Sequence, residues 1–339
     1  VGVFGDFSMG RGAVEMKKSG ALAADDIHKF WHSIFLINSG HAVASDEAKQ
    51  ACKEAIKALY DFGSRNLHDG MVWNWGCSDA AVDARIKKSV PLYDAVSSDG
   101  FSEQLYCFAL NAIGLDDLSD KRVLDVGCGF GEGLNFASRV FGFQNAVGLD
   151  LCRNAIDRAN ARLSRPGLLF VCGDAEELPF DDGELDIVVN IESSHTYPDL
   201  SRFLKEVARV LRPGGYFSHV DLFTDDRYRQ FVALKPESGL EWLAETDITD
   251  RVKEAIRARM RPGSFLRRAL AKQQRDTPML LRMLSGSLAL ANFGADFAGH
   301  QYTRWERLMQ SMFVRMLKRS GSLQPVRFTR YLHHLARKV

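Results

Sequence analysis

The chain has 339 residues, 44 basic and 43 acidic side chains, a formal net charge of +1 and 46% apolar residues. This length allows a sizeable core in one domain plus accessory segments, and the near-zero balance lacks the bulk positive charge that argues for a nucleic-acid partner. No segment reaches the roughly 18 to 20 continuous apolar residues of a membrane span, the start lacks the apolar centre of a secretory signal, and the six cysteines show no paired zinc-ligand spacing, so reduced thiols, a cytoplasmic location and no metal site are expected.

In chain order, residues 1–20 are expected to be flexible and residues 21–117 to form a helical N-terminal extension and lid. Asp25 and Asp26 can start a helix, and Ala51, Ala55, Ile56 and Leu59 follow helical spacing. The apolar block from Phe30 to Ile37 has three readings: packing on the chain's own sheet, pairing with a sister subunit into a homo-oligomer, or lying on a membrane surface. Behind Tyr60-Asp61-Phe62-Gly63 comes the aromatic cluster Met71-Val72-Trp73-Asn74-Trp75-Gly76. Such a segment can close as a lid in which Trp73 or Trp75 faces a cation, an interaction of roughly 0.5 to 2 kcal/mol. Ordinary core packing is the competing reading for either ring.

Residues 118–339 read as an α/β unit. Val123-Leu124-Asp125-Val126 is a buried strand ending on an acid and a glycine turn, Gly127-Cys128-Gly129-Phe130-Gly131, followed by a helix. Small residues there let backbone approach a ligand beside a helix N-terminus. A dinucleotide fingerprint would carry a glycine where Glu132 stands. A pyrophosphate beside Asp125 would be repelled, whereas the sulfonium and amino group of S-adenosylmethionine would be attracted. A second strand ends at Asp150, roughly 20 residues beyond the glycines, where a carboxylate can accept from ribose hydroxyls. A third ends in Gly173-Asp174-Ala175, placed for an adenine ring, and a fourth, Leu185 to Asn190, leads into Ile191-Glu192-Ser193-Ser194-His195. A fifth strand runs from Tyr216 to Leu222, and the sheet is expected to resume at Leu240 and to finish near Val326 to Leu335.

Between those last strands, from about residue 250 to 321, lies a helical insertion expected to cap the strand ends and select the substrate. Its stretch from Arg251 to Arg275 holds nine basic side chains against the single acid Glu254, with Val252, Ile256 and Met260 at helical spacing. The basic face reads either as a solvated outer surface or as an attraction for a diphosphate, acidic lipid or carrier-bound acyl group.

These ordered motifs resemble the class I S-adenosylmethionine-dependent methyltransferases, over roughly Leu118 to Leu222: Leu124 to Gly129, Gly148-Leu149-Asp150, Gly173-Asp174-Ala175, and Leu211-Arg212-Pro213-Gly214-Gly215 before the fifth strand. The resemblance implies a Rossmann-like, seven-stranded α/β sheet with a closing antiparallel pair. It implies that Asp125, Gly127 and Gly129 hold the methionine portion of the cofactor, that Asp150 with Leu151 holds ribose, and that Asp174 and Ala175 flank adenine. Asn190, and Gln104 and Tyr106 on a helix beneath the methionine end, complete the cofactor contacts. His195 is the candidate base or orienter, since its imidazole can take a proton near neutral pH, and Glu192 is the alternative.

The loop Ile191 to Asp199 and Thr246-Asp247-Ile248-Thr249 look like enzymes that O-methylate polyketide-derived lipids. Tyr60-Asp61-Phe62 with Trp73-Asn74-Trp75-Gly76 is similar to sterol and terpenoid C-methyltransferases, but departs from them at Cys77-Ser78-Asp79. The expected reaction is therefore methylation of a bulky hydrophobic small molecule, at a terpenoid or prenyl carbon or at a polyketide or lipid oxygen. It leaves S-adenosylhomocysteine as product. The alternatives are a noncatalytic cofactor-binding or scaffold protein and a nicotinamide oxidoreductase.

Overall fold

The computed structural model describes residues 24–66, 74–89, 98–268, 294–318 and 326–339. The expected flexible start at residues 1–20 and Trp73 lie outside them.

Seven strands form one sheet in the order β3-β2-β1-β4-β5-β7-β6: β1 (Arg122–Val126), β2 (Asn145–Asp150), β3 (Leu168–Cys172), β4 (Leu185–Ile191), β5 (Leu211–Phe223), β6 (Leu240–Asp247) and β7 (Arg330–Lys338). The first five run parallel and β7 is antiparallel to both its neighbours. The parallel strands are apolar almost throughout because helices cover both faces. One face holds Leu124, Val147, Val188 and Phe217, and the other Val123, Ala146, Ile187 and Val189. The helix α7 (Leu200–Val210) seals the first face with Leu200, Phe203, Leu204 and Val207, the i, i+3, i+4, i+7 spacing of an amphipathic helix. Asp199 caps it, accepting from the Arg202 N–H at 3.0 Å. On the other face α4 (Phe101–Asn111) buries Leu105, Ala109 and Leu110. The helices after β1 and β2 are α5 (Glu132–Phe141) and α6 (Arg153–Leu163), and α8 (Asp225–Leu234) follows β5.

β5 begins at Leu211, earlier than the expected Tyr216, because Leu211 pairs with Leu185 across a register shift before regular pairing resumes at Tyr216. The loop-like Pro213-Gly214-Gly215 is therefore an irregular start of the strand.

Ahead of the sheet come α1 (Ala24–Asn38), α2 (Asp46–Asn66) and α3 (Ala80–Ser89). The Phe30 to Ile37 block packs within the chain, but on α2 rather than on the sheet. Phe30, Ile34 and Ile37 are buried against Cys52 and Ile56 of α2, with Val326 and Phe328 alongside. The insertion contributes α9 (Thr249–Met260) and α10 (Arg304–Lys318). Val252, Ile256 and Met260 are buried as their spacing predicts.

The basic stretch is not simply an exposed face. Arg251 pairs with Asp79 at 2.7 Å and Arg259 with Asp99 at 2.8 Å, so two of its charges tie the insertion to the N-terminal region, while Arg267 pairs with Glu306 at 3.4 Å within the insertion. Lys272 and Arg275 lie outside the described residues. No helix among the described residues is long and apolar enough to cross a membrane, and the six cysteines are unbridged.

Candidate functional site

The C-terminal ends of β1, β2, β3, β4 and β5 converge on one edge, where parallel sheets place their ligands. Gly127, Gly129 and Gly131 all take positive φ, at 78°, 56° and 75°, the left-handed region that glycine enters without a steric penalty. The first two differ in surroundings. A Cβ at Gly127 would meet Ser193 Oγ at 2.2 Å, whereas one at Gly129 would have nothing within 4 Å. Gly127 is thus required by the loop packed on it, and Gly129 borders open space. Gly129→Ala is expected to cost about 1–2 kcal/mol of stability for its backbone and to abolish cofactor binding. Gly127→Ala should also displace the 193–197 loop and melt at a clearly lower temperature. Thermal denaturation with S-adenosylhomocysteine titration checks the pair, and equal melting of the two variants would contradict this distinction.

Asp125 is fully buried. The Tyr106 hydroxyl donates to its Oδ2 at 2.9 Å, while its Oδ1 has no partner. Burial raises the Asp125 pKa to about 7, against the pull of the Tyr106 hydrogen bond. Tyr106 thus reaches the site through Asp125. Gln104 is placed differently: its Oε1 accepts from Asp79 N at 2.8 Å, and its Nε2 donates to Asp83 at 3.4 Å, so both polar atoms brace α4 against the start of α3. Asn190 donates to Val126 O at 2.8 Å and to Ser193 Oγ at 2.8 Å, and its buried Oδ1 is unpaired. The turn therefore has two unpaired acceptors nearby.

Asp150 holds the turn from the other side. Its Oδ2 accepts from Gly129 N at 2.9 Å and its Oδ1 from Cys152 N at 2.8 Å, while burial raises its pKa. Leu151 follows directly, its carbonyl 3.6 Å from Cys172 Sγ. Asp174 carries an ion pair that the sequence did not disclose. Lys53 on α2 approaches Asp174 Oδ2 and Glu176 Oε2, each at 2.6 Å. Ala175 beside it packs into the core with Leu178 and Phe180. Asp61, also on α2, accepts from Cys152 Sγ and Asn154 Nδ2. One helix from the N-terminal region thereby spans the ribose and adenine candidates.

At the end of β4 the chain turns sharply. Glu192 has φ 54°, a strained value for a non-glycine residue of order 1–3 kcal/mol. The turn aims its carboxylate at Trp75 N, which donates at 2.6 Å, and at the Tyr331 hydroxyl, which donates to the same oxygen. Burial pushes the Glu192 pKa up to about 7. Three residues on, His195 Nδ1 lies 2.8 Å from Asp221 Oδ1, and His195 N donates to Asp221 Oδ2 at 2.9 Å. Asp221 is fully buried and lies at the end of β5. Its carboxyl pKa is lowered: burial opposes this, but the His195 imidazole and the Ser194 hydroxyl more than offset it. The strand-end rule that picked out Asp125 and Asp150 also applies to Asp221, and a strict application would have found it.

The Trp75 ring packs against Phe297 at 5.2 Å, Phe328 at 6.2 Å and Tyr331 at 6.2 Å. Phe328 also stands edge-on to His195 at 6.0 Å. Phe297, Phe328 and Tyr331 come from the far end of the chain and carried no recognisable motif. The loop itself is pinned from outside: Asn38 Nδ2 donates to His195 O at 2.9 Å, and buried Arg227 donates to Ser194 O and Tyr197 O.

Residues 124–219 match the family model described as a methyltransferase domain. The phthiotriol/phenolphthiotriol dimycocerosates methyltransferase of Mycobacterium tuberculosis is 37% identical over 194 residues, 57% of this chain and 66% of that protein. The fatty-acid O-methyltransferase of Mycolicibacterium smegmatis is 40% identical over 182 residues, 53% of this chain and 62% of that protein. The matched region thus spans just under two thirds of these relatives. Among solved structures, the [4+2]-cyclase SpnF superposes with a TM-score of 0.55 at 18% identity, covering 84% of this chain and 96% of its own. Geranyl diphosphate C-methyltransferase from Streptomyces coelicolor A3(2) does so at 0.53 and 18%, covering 88% and 100%. At that identity the likeness concerns the fold. The matched residues 124–219 run from β1 through the glycine turn into β5 of the seven-stranded sheet, so this stretch is similar to a methyltransferase domain.

Proposed function

We propose that the chain transfers a methyl group from S-adenosylmethionine to an oxygen of a bulky, lipid-like acceptor. The observation that carries the reading is the His195–Asp221 pair at the strand ends beside the open glycine turn. The residues fit the donor: Asp125 Oδ1 and Asn190 Oδ1 are buried acceptors without partners, suited to an ammonium group, and the space over Gly129 is clear. When bound, S-adenosylmethionine supplies an activated methyl group on a sulfonium. What remains for the protein is alignment, exclusion of water and, for a hydroxyl acceptor, removal of a proton. With Nδ1 held by Asp221, His195 presents Nε2 to take that proton. Trp75, Phe328 and Tyr331 form an apolar wall suited to a lipid chain. The names of the two curated relatives, both lipid methyltransferases, favour such an acceptor.

Calorimetric titration with S-adenosylhomocysteine tests the donor half, and no binding by folded protein would defeat it, leaving the scaffold reading. Incubation with S-adenosylmethionine and long-chain hydroxy lipids or fatty acids, read by mass spectrometry, tests the acceptor half. Methylation at a prenyl carbon is the second reading, favoured by the aromatic wall around the Glu192 carboxyl. A product methylated on carbon would select it. A cytoplasmic homo-oligomer belongs to the proposal too, and light scattering would measure its size.

A pH dependence follows from Asp125. An ammonium pairs with the ionised carboxyl, which prevails above about pH 7. S-adenosylhomocysteine affinity should therefore rise between about pH 6 and pH 8, by at most about tenfold per unit below the pKa. Asp125→Asn should weaken binding and flatten the curve. The ligand-free protein should show the opposite trend in stability: the folded state binds more protons than the unfolded one between the ordinary carboxyl pKa and about 7, so this group's contribution falls as pH rises through that window. An affinity curve that is flat for the wild type would refute the Asp125 assignment.

A further inference from the structure

His219 and His334 are fully buried in the sheet and belong to a hydrogen-bonded line that starts at the catalytic pair. Ser194 Oγ donates to Asp221 Oδ2 at 2.6 Å and lies 2.8 Å from His219 Nε2. His219 Nδ1 is 3.4 Å from His334 Nδ1, and His334 Nε2 is 3.1 Å from Glu245 Oε2. The three outer members are direct cross-strand partners on β5, β7 and β6. Glu245 also accepts from Lys235 Nζ at 2.9 Å and from the Tyr228 hydroxyl at 2.6 Å. The other charged or titratable groups facing the line among the described residues are Arg227, His333 and, beside Glu245, Arg330.

Each contact needs one hydrogen. Burial keeps both rings neutral, lowering His219 to about 4 and moving His334 further in the same direction. Each neutral ring brings one N–H and Ser194 brings one O–H, which makes three hydrogens for four contacts between two carboxylates. One contact is always empty. The vacancy costs least at Glu245, whose side chain is 35% exposed and shares its oxygen with Lys235. It costs most at Asp221, which no solvent reaches. The resting arrangement therefore has Ser194 donating to Asp221, His219 protonated on Nε2 and His334 on Nδ1. Moving the vacancy inward flips both tautomers and removes one donor from Asp221, which then pulls harder on the His195 proton.

We propose that His219, His334 and Glu245 are positioning residues for His195: the contact at Glu245 sets, through this line, how many donors Asp221 receives and so how strongly it holds the imidazole. This rests on the reading of His195 as the proton acceptor. The test is nitrogen-15 NMR of histidine-labelled full chain.

Lys235 lies over Phe231 at 5.4 Å and Trp242 at 5.1 Å, so Lys235→Met keeps the packing and leaves Glu245 short of a donor. The expected result is a change of tautomer at His334 and His219 together with a shift of the His195 nitrogen signals. In a Ser194→Ala background, where Asp221 has already lost this donor, adding Lys235→Met should move the His195 signals no further. Unmoved His195 signals in Lys235→Met overturn the proposal, and so does a further His195 shift when Lys235→Met is added to Ser194→Ala, since that would be a field acting through space. Titration with S-adenosylhomocysteine reports the donor site separately, so its failure would remove the methyltransferase reading without altering the outcome for the line.

Discussion

Replacing His195 by alanine is expected to lower kcat on a hydroxyl acceptor by about 10²–10⁴, the usual contribution of a positioned general base, with S-adenosylhomocysteine affinity close to wild type. The two readouts separate because His195 is held by Asp221 on β5, while the glycine turn is held by Asp150 and Asn190. A fatty acid is already ionised at neutral pH and has no proton to lose. On that acceptor the same variant should keep most of its rate. Asp221→Asn should behave like a milder His195→Ala, because the amide replaces a buried carboxylate that orients the ring and stabilises its cation. Steady-state kinetics on a matched long-chain alcohol and acid decide the matter. Full turnover of the alcohol by His195→Ala would remove the base from the mechanism and leave His195 as a packing residue.

The second large effect is expected on stability. Arg259 is 6% exposed and grips Asp99 with two nitrogens, Nε and Nη2, each at 2.8 Å. It also donates to Ser102 Oγ and to Asn74 O. Arg259→Met would leave the Asp99 carboxylate without its counter-charge, and breaking a buried pair from one side typically costs 3–5 kcal/mol. For a chain of this size that is a fall in Tm on the order of 10 °C. Combining it with Asp99→Asn should restore part of the loss. Because Arg259 also holds Asn74 O, beside the Trp75 N–H that donates to Glu192, the variant should loosen the aromatic wall as well. Differential scanning calorimetry gives the first effect and Trp fluorescence the second. An unchanged Tm would show that water enters the Arg259 site and replaces the lost contact.

Much of the geometry around the glycine turn was legible because it is local. Strand, acid, glycine turn and helix follow one another within a few residues at Asp125 to Gly131, and the constraints of positive φ and close approach act on adjacent backbone. Asp150 and Asp174 could be placed by the same reasoning, since each ends an apolar strand. Where prediction and structure part, the partner comes from far along the chain. Asp174 is joined by Lys53, Gln104 is drawn away by Asp79 and Asp83, and Arg259 turns inward to Asp99. No spacing rule links residues that far apart.

The sequence alone determined the parallel strands and the glycine turn, because short apolar runs and backbone conformation are encoded by neighbours. Only the tertiary structure decided that His195 has Asp221 as its partner, and that Phe328 and Tyr331 pack on Trp75, with Phe328 edge-on to His195. It also decided that a line of buried histidines runs from Ser194 to Glu245. The first follows from the parallel pairing of β4 with β5, whereas the last two depend on the antiparallel return of β7 between β5 and β6, which brings together residues far apart in the chain.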